Sequence, residues 1–415
     1  HVMVSFTSKL RQLTKIATER GVVDATTASA LVTLAEQQER EGGVRSLSSI
    51  LGALGGGTVA LGVILLVAAN WQGIGDWTKI GGLLLLLGGA HGVGFWITAT
   101  NRPYVRAAEA LHFLGAGLVM AGVALVSQIF NLDAHPPNGV LIWLVAVVPL
   151  AYLLRSAAIT GMAVFALVLW AHMEGSFSGS PIEMPTFAVH LMLEVGLGTA
   201  LLGAASVVRD AEPEISHILR AAGGLLLIYG VYTLGFYRYF SDPTSDAGAG
   251  AWVLPSVALV LGGVGLWIAR ETLANEAPWL RDRLNSLLVI LLSIAAMAVV
   301  LDLGVVPSGR ELWFFDFDND ATFSIASLLV TFAAWALWFL LAFWCVAFGT
   351  RSGRKRYLDI GVAAVGLGVV TRFFDLIGGQ TGTGILFVVG GLLLIGTAWG
   401  MEKWRRQMLA RMGGT

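Results

Sequence analysis

Two ionisable residues, His190 and Glu194, lie four positions apart inside an apolar stretch and have the chemistry to share a proton. In a helix, side chains four residues apart lie on the same face. A carboxylate inside a hydrocarbon layer has to be neutral or paired. The spacing predicts either a proton or cation relay, with Arg372 as a candidate partner, or an interhelical hydrogen bond or ion pair that fixes helix packing.

A second pair, Arg372 and Asp375, lies three residues apart near the C-terminus. The planar guanidinium of arginine binds carboxylate or phosphate oxygens through two parallel hydrogen bonds. Arg372 is therefore a candidate site for an anionic group. The alternatives are an ion pair with Asp375 or another acid, or contact with lipid headgroups.

A third group consists of His91, Glu109 and His112, which fall near the ends of two consecutive apolar runs. These side chains can bind a metal or pass protons, but zinc sites normally use three or four thiolate or imidazole ligands. We expect helix capping and interhelical hydrogen bonds here. The single cysteine, Cys345, excludes an internal disulfide and cysteine-based metal motifs. The sequence thus predicts no catalytic residue, no metal and no cofactor.

The composition defines the surroundings of these residues. Of the 415 residues, 56% are hydrophobic and only 13% are charged, against about 25% charged in a soluble domain. Runs of about 20 apolar residues are long enough to cross a hydrocarbon layer as helices. The sequence therefore predicts an all-α protein, a polytopic transmembrane helical bundle. Its expected partner is the lipid bilayer, and the absence of a basic stripe with interleaved aromatic residues predicts no nucleic-acid partner.

About 12 spans are expected. They cover roughly residues 47–69, 77–98, 108–130, 139–154, 157–171, 187–208, 217–236, 251–269, 285–303, 323–349, 358–377 and 382–400. The fourth and fifth, on either side of Arg155, look too short to cross at full thickness, which suits one long helix or two half-helices. A merged helix would place the basic loop at 351–356 outside, so we expect the two segments to be separate. The 52 glycines predict close helix contacts, for example at Gly88 and Gly92, four residues apart.

Charge predicts the orientation, because short loops rich in lysine and arginine stay cytoplasmic. With an even number of spans, most of the 26 basic residues fall on the side of the N-terminus, including the loop at residues 351–356. We therefore expect a cytoplasmic helical hairpin over 1–46, with Asp24 able to cap its second helix. We expect a transmembrane domain over 47–400 after it, and then a basic cytoplasmic tail over 401–415.

In this orientation, polar residues collect at the outer ends of different spans, together with Asn131, Asp133, His135 and Glu174. They predict an outward-facing polar vestibule. Its candidate residues are Asn70, Gln128, His172, His190, Glu194, Asp302, Arg372 and Asp375. The group of His91, Glu109 and His112 forms a separate cluster on the cytoplasmic side.

Four stretches resemble a prokaryotic family of predicted membrane proteins, domain-of-unknown-function family 2157. They are LGVILLVAANWQGIGDWTK at 61–79, the long run at 127–156, TRFFDL at 371–376, and the closing GGLLLIGTAWGMEKWRR. The short soluble hairpin before the first span is similar as well. The resemblance implies a multi-pass protein of the bacterial inner membrane and implies no particular activity.

Three classes of function remain open. The span number and the outer polar residues favour a small-molecule, ion or lipid transporter. The glycine-rich spans and the N-terminal hairpin suit a structural or regulatory subunit of a membrane complex, or a homo-oligomer. An enzyme acting on a lipid-linked substrate is the third alternative. It has less support, because neither a HExxH nor a GxSxG motif occurs.

Overall fold

A computed structural model describes most of the chain from residue 71 onward. The described residues are Thr14, Thr18, Asp24 and residues 26–34, 71–100, 105–132, 135–237, 247–303, 325–377 and 384–413. The expected first span at 47–69 and the candidate residue Asn70 lie outside them, as does the side chain of Asp375.

Long α-helices follow one another through the described part of the chain. They are α1 (Asp76–Thr100), α2 (Val105–Ile129), α3 (Pro136–Leu154), α4 (Ala157–Gly175), α5 (Phe187–Val207), α6 (Pro213–Leu234), α7 (Val253–Glu276), α8 (Pro278–Asp302), α9 (Ile325–Ser352), α10 (Lys355–Ile377) and α11 (Gly384–Gly413). Among the described residues, nine helices are long and apolar enough to cross a membrane, and none of these residues forms a strand. The predicted all-α polytopic class is confirmed.

The two helices around Arg155 differ from the prediction. They are separate helices of 19 residues each, about 28 Å long, and both are candidate full spans. The prediction that the two segments stay separate is confirmed, but the prediction of half-helices is wrong. It left out the prolines that begin α3 and the polar last turn of α4. Between the helices, Arg155 adopts a left-handed conformation (φ 50°), and Ser156 then caps α4 by accepting a hydrogen bond from the Ile159 amide.

Residues 1–81 and 82–415 form two compact units. In the first unit, residues 26–34 are helical, and Asp24 caps them by accepting a hydrogen bond from the Thr27 amide at 3.1 Å, as predicted. The Thr27 hydroxyl also donates to Asp24, and these hydrogen bonds lower the pKa of the Asp24 carboxyl below its usual value. In the same unit, Lys79 pairs with Asp76 at 3.1 Å.

In the second unit, α2, α3 and α4 pack together, while α5 packs closely against α6, α7 and α8. Among the described spans, α5 is the most enclosed, with 72% of its most apolar stretch buried. Glycines permit this enclosure: a Cβ on Gly203 would lie 2.5 Å from the carbonyl oxygen of Gly262, and a Cβ on Gly198 would lie 2.9 Å from that of Gly223. At Gly88 and Gly92, by contrast, no described atom lies within 4 Å of an added Cβ. The expected close contact at that pair is absent from the described structure.

Contacts between helix termini define two ends of the second unit. The Glu174 end contains the α3 start, the α4 end and the α5 start, where His135 meets Glu174 and Thr186 meets Asp302. The Arg155 end contains the opposite termini, where Arg155 pairs with Glu212 at 2.9 Å. Consecutive helices run alternately between these ends, as successive membrane crossings would.

Candidate functional site

The most distinctive polar contact joins α4 and α5 near the Glu174 end. The Nε2 atom of His172 lies 2.7 Å from Oε1 of Glu194. Glu194 is seven residues beyond the first residue of α5, roughly 10 Å along the helix axis. Its side chain is only 7% exposed, whereas that of His172 is 35% exposed. The carboxyl group is thus enclosed by protein, and the imidazole connects it to the surface.

The contacts of His172 determine how many protons the pair holds. Its Nδ1 lies 2.8 Å from the carbonyl oxygen of Val168, which can only accept, so Nδ1 carries a hydrogen. The contact between Nε2 and the Glu194 carboxyl then requires one further proton. That proton lies either on the imidazole, which gives an ion pair, or on the carboxyl group, which gives a neutral pair. Without this proton, the lone pair of His172 Nε2 would face the negatively charged carboxylate of Glu194.

One oxygen of this carboxyl group has no ligand among the described residues. Oε2 of Glu194 is buried and makes no hydrogen bond to any described residue. A buried carboxylate oxygen left unpaired costs free energy, on the order of 1–3 kcal/mol or more. Protonation of the carboxyl group reduces that cost, as does a water molecule, a cation or a substrate group at Oε2. The arrangement therefore favours binding of a further group at this atom.

A second histidine–carboxylate pair lies close by, at the Glu174 end. His135, just before α3, places Nε2 at 3.2 Å from Oε1 of Glu174, the neighbour of His172 two residues along α4. The hydroxyl of Ser180 donates to the same oxygen at 2.6 Å. The His135 ring stacks on Phe177, with ring centroids 4.1 Å apart. Glu174 is therefore held by a loop and by the start of α3, next to the deeper pair.

The structure gives His190 and Glu194 different partners. His190 Nδ1 lies 3.1 Å from the carbonyl oxygen of Thr186, within its own helix. Glu194 instead meets His172, a partner that the sequence reasoning missed. The signal was available, because α4 and α5 are consecutive and a loop of eleven residues joins them. Consecutive helices with a short loop are antiparallel neighbours, so polar residues near that loop can meet.

Arg372 contacts the C-terminal end of α6. It is 4% exposed, and its guanidinium donates to the carbonyl oxygens of Gly235 at 3.1 Å and Tyr232 at 3.2 Å. Its Cζ lies 4.1 Å from the centre of the Phe236 ring. The last carbonyls of a helix have no partner within the helix and carry partial negative charge. Arg372 therefore caps α6, which explains why an arginine is stable at this depth.

Glu194 approaches the same helix one turn earlier. A Cβ on Gly230 of α6 would lie 3.0 Å from the Cβ of Glu194. Asp302, at the end of α8, joins the starts of two other helices, because it accepts hydrogen bonds from Thr186 before α5 at 2.8 Å and from Trp252 before α7 at 3.1 Å. Gln128 is exposed at the end of α2.

The predicted cluster of His91, Glu109 and His112, on the side of the Arg155 end, forms two separate contacts. The Nδ1 atoms of His91 and His112 lie 3.0 Å apart. Glu109 turns instead to Ser156, whose hydroxyl donates to it at 2.9 Å. Within the described residues, no three histidine, cysteine or acidic side chains come close enough to hold a metal ion.

Comparison with known proteins supports the membrane assignment. Residues 18–160 match a family described as a predicted membrane protein (DUF2157), which confirms over that segment the resemblance found in the sequence. No curated protein and no solved structure matches the chain.

Proposed function

We propose that this chain is a proton-linked transporter of the lipid bilayer, and that the His172–Glu194 pair holds the proton that it moves. The proposal rests on one observation: the contact between His172 Nε2 and the buried Glu194 carboxyl group requires a single proton. The cargo is a small molecule, an ion or a lipid. In the bacterial inner membrane, with both termini cytoplasmic, the Glu174 end faces outward and contains the polar vestibule.

The cost of the pair supports a functional role. Taking ionisable groups out of water costs several kcal/mol, and apolar residues of similar size often stabilise a protein as well or better. A purely structural contact between α4 and α5 does not need a carboxyl group. Ionisable residues inside membrane spans are typical of ion and proton pathways. Here the buried carboxyl group has a partly exposed imidazole beside it, through which a proton can enter.

The location of the pair supports transport in a second way. His172 belongs to α4, which packs closely with α3 and α6, whereas Glu194 belongs to α5, which packs closely with α6, α7 and α8. The pair thus bridges two groups of helices. A change in its protonation alters the attraction between α4 and α5, and this couples proton binding to a relative movement of these helices.

The vestibule residues have two different roles in this proposal. Asp302 and Arg372 already bind helix termini, so they shape the outer end. Gln128, His190 and the His172–Glu194 pair are left to contact cargo, with Asn70 and Asp375 as further candidates. Because Glu194 Oε2 has no described protein ligand, this oxygen is where a donor group of the cargo, or a water next to it, would bind.

The test is transport by purified protein in liposomes under an imposed pH gradient. A defined mixture of amino acids, sugars, nucleosides, organic acids and metal salts is supplied outside, and accumulated solutes are identified by mass spectrometry. An internal pH dye records proton entry, and transfer of labelled lipids between leaflets is measured in parallel. We expect at least one cargo to move with protons and to stop moving when a protonophore is added.

In the same assay, Glu194→Gln is expected to reduce coupled movement to the level of protein-free liposomes. The glutamine amide can donate to Nε2 of a neutral His172 and so keeps the contact, but it has no proton that it can bind and release as a carboxyl group does. Glu183→Gln is the matched control: Glu183 accepts a hydrogen bond from the Gly179 amide at 2.8 Å, on the loop between the same helices. The control is expected to transport normally.

Two results would contradict the proposal. One is Glu194→Gln protein that is folded by size-exclusion chromatography and transports as well as the wild type. The other is wild-type protein that moves neither protons nor any supplied cargo. The second result would favour the role of a structural or regulatory subunit.

A further inference from the structure

Two imidazole rings meet where α1 crosses α2, on the side of the Arg155 end. The Nδ1 atoms of His91 and His112 lie 3.0 Å apart, and the ring centroids are 5.3 Å apart with a tilt of 30°. His112 is 7% exposed. None of the contacts of the His172–Glu194 pair involves these helices, so this contact needs its own explanation.

Each imidazole ring packs against a glycine of the other helix. A Cβ on Gly94 would lie 3.0 Å from Nε2 of His112, and a Cβ on Gly115 would lie 2.5 Å from Nε2 of His91. Both glycines follow a histidine by three residues, so the pattern His-x-x-Gly occurs once in each helix. The contact is therefore reciprocal, and the space for each ring is specific to the partner glycine.

This geometry limits the protonation states of the pair. Two Nδ1 atoms at 3.0 Å require a hydrogen on one and a lone pair on the other, which two neutral rings of opposite tautomer provide. One added proton binds Nε2 of the donor ring, and the bond between the rings becomes charge-assisted and stronger. A second added proton places a hydrogen on both Nδ1 atoms. The two cations then repel each other, and no hydrogen bond joins them.

Among the described side chains, few charged groups lie on the helices around the pair. His91 is the only titratable residue from position 80 to position 100 of α1. On α2, Glu109 lies one turn before His112 and accepts from Ser156. Arg106 lies six residues before His112 on the same helix. The helices α3 and α4 pack on α2; near this end they contribute Tyr152 and, at their junction, Arg155, which pairs with Glu212, while His172 and Glu174 of α4 lie at the other end. Of these groups, Glu109 is the nearest along the chain whose negative charge favours protonation of the histidine pair.

We propose that His91 and His112 form a binding site for a single proton that holds α1 against α2. The neutral and singly protonated pairs keep the helices together, and a second proton separates them. The site goes beyond the proposed transport function and does not depend on Glu194. It makes the contact between α1 and α2 responsive to acid at the Arg155 end.

Nitrogen NMR of protein labelled with ¹⁵N-histidine tests the bond directly. A hydrogen bond between the two Nδ1 atoms gives a ¹⁵N–¹⁵N coupling across it, which we expect at neutral pH. The coupling is expected to survive the first protonation and to disappear at the second. Glu194→Gln protein should give the same result, so failure of the transport proposal would leave this one intact. Absence of the coupling in folded wild-type protein would overturn the one-proton site.

The separation of the helices is measured by pulsed electron resonance between spin labels at Trp96→Cys on α1 and Phe113→Cys on α2, both exposed positions, in a Cys345→Ala background. We expect the label distance to lengthen in acid with the native pair. In His112→Phe protein, which cannot form two cations, it should stay constant. His217→Phe, a change at an exposed histidine on α6, is the control and should lengthen as the native pair does.

Equal lengthening in His112→Phe protein would overturn the proposal, because acid would then act elsewhere. A stoichiometric change of the paired ¹⁵N signals on addition of Zn²⁺ or Ag⁺ would also overturn it. The rings would in that case form a metal site.

Discussion

Alanine at Gly262 is expected to prevent α5 and α7 from packing and to leave little folded protein. A Cβ on Gly262 falls among the backbone atoms of Thr199 and Ala200 on α5, closer than non-bonded atoms approach. Backbone atoms cannot turn aside as a side chain can, so the helices would have to separate. Extra methylenes in a core cost about 1–3 kcal/mol, occasionally more, and we expect Gly262→Ala to reach or exceed the top of that range.

The adjacent glycine supplies the control for this prediction. Gly263 lies on the same helix, and no described atom lies within 4 Å of a Cβ added there. Alanine is a better helix former than glycine by roughly 1 kcal/mol, so Gly263→Ala is expected to be neutral or slightly stabilising. Fluorescence-detected size-exclusion chromatography of heated detergent extracts measures both variants. Equal melting of the two would show that α5 and α7 are not in backbone contact.

The same packing indicates which part of the protein can move. The seam between α5 and α7 has several such points, including Gly196, where a Cβ would lie 2.5 Å from the carbonyl oxygen of Pro255. Helices locked backbone to backbone resist sliding, because interiors pack densely and tolerate little added volume. In the transport proposal, movement therefore occurs between α4 and α5, where the contact passes through side chains such as His172 and Glu194.

The sequence predicted the existence of the described spans well and their ends less well. Apolar runs of span length are a strong signal, because the hydrocarbon thickness fixes the length of helix required. The ends of α3 and α4 were missed for a specific reason. Prolines suit the first turn of a helix, as at Pro136, and a polar last turn, as at Glu174, is compatible with a span once its partners are known.

Pairings between helices were harder to predict than the helices themselves. The sequence placed Glu194 on one helix face with His190 and offered Arg372 or an interhelical contact, but it did not identify His172 on α4 as the partner. Spacing along one helix reveals only local neighbours, whereas a contact across helices depends on rotation and register. The glycines illustrate the same point: Gly88 and Gly92 have the expected spacing, yet the close contacts occur at positions such as Gly203 and Gly262.

Replacement of Arg372 by leucine is expected to destabilise the protein by about 3 kcal/mol. The change removes two hydrogen bonds to the C-terminal carbonyl groups of α6 and the guanidinium that lies over Phe236. Each hydrogen bond from a charged donor contributes about 1.5–3 kcal/mol, and loss of a cation over an aromatic ring adds about 0.5–2 kcal/mol. Both carbonyl groups keep a neutral donor, the Gly235 amide at 3.2 Å for Tyr232 and the Trp335 indole at 3.4 Å for Gly235, which limits the loss. Partial relaxation of the helix end offsets part of this sum.

Arg372→Lys is expected to recover only part of the lost stability, since an ammonium group lacks the planar fork that reaches both carbonyl groups. Arg406→Leu is the control: the Arg406 side chain is 76% exposed and pairs with Glu402 at 2.7 Å, and such solvent-exposed pairs contribute little to stability. Melting in detergent, with and without phosphate or citrate, distinguishes the two roles of Arg372. A capping role predicts no stabilisation of the wild type by either anion. Stabilisation that disappears in Arg372→Lys would instead identify an anion site.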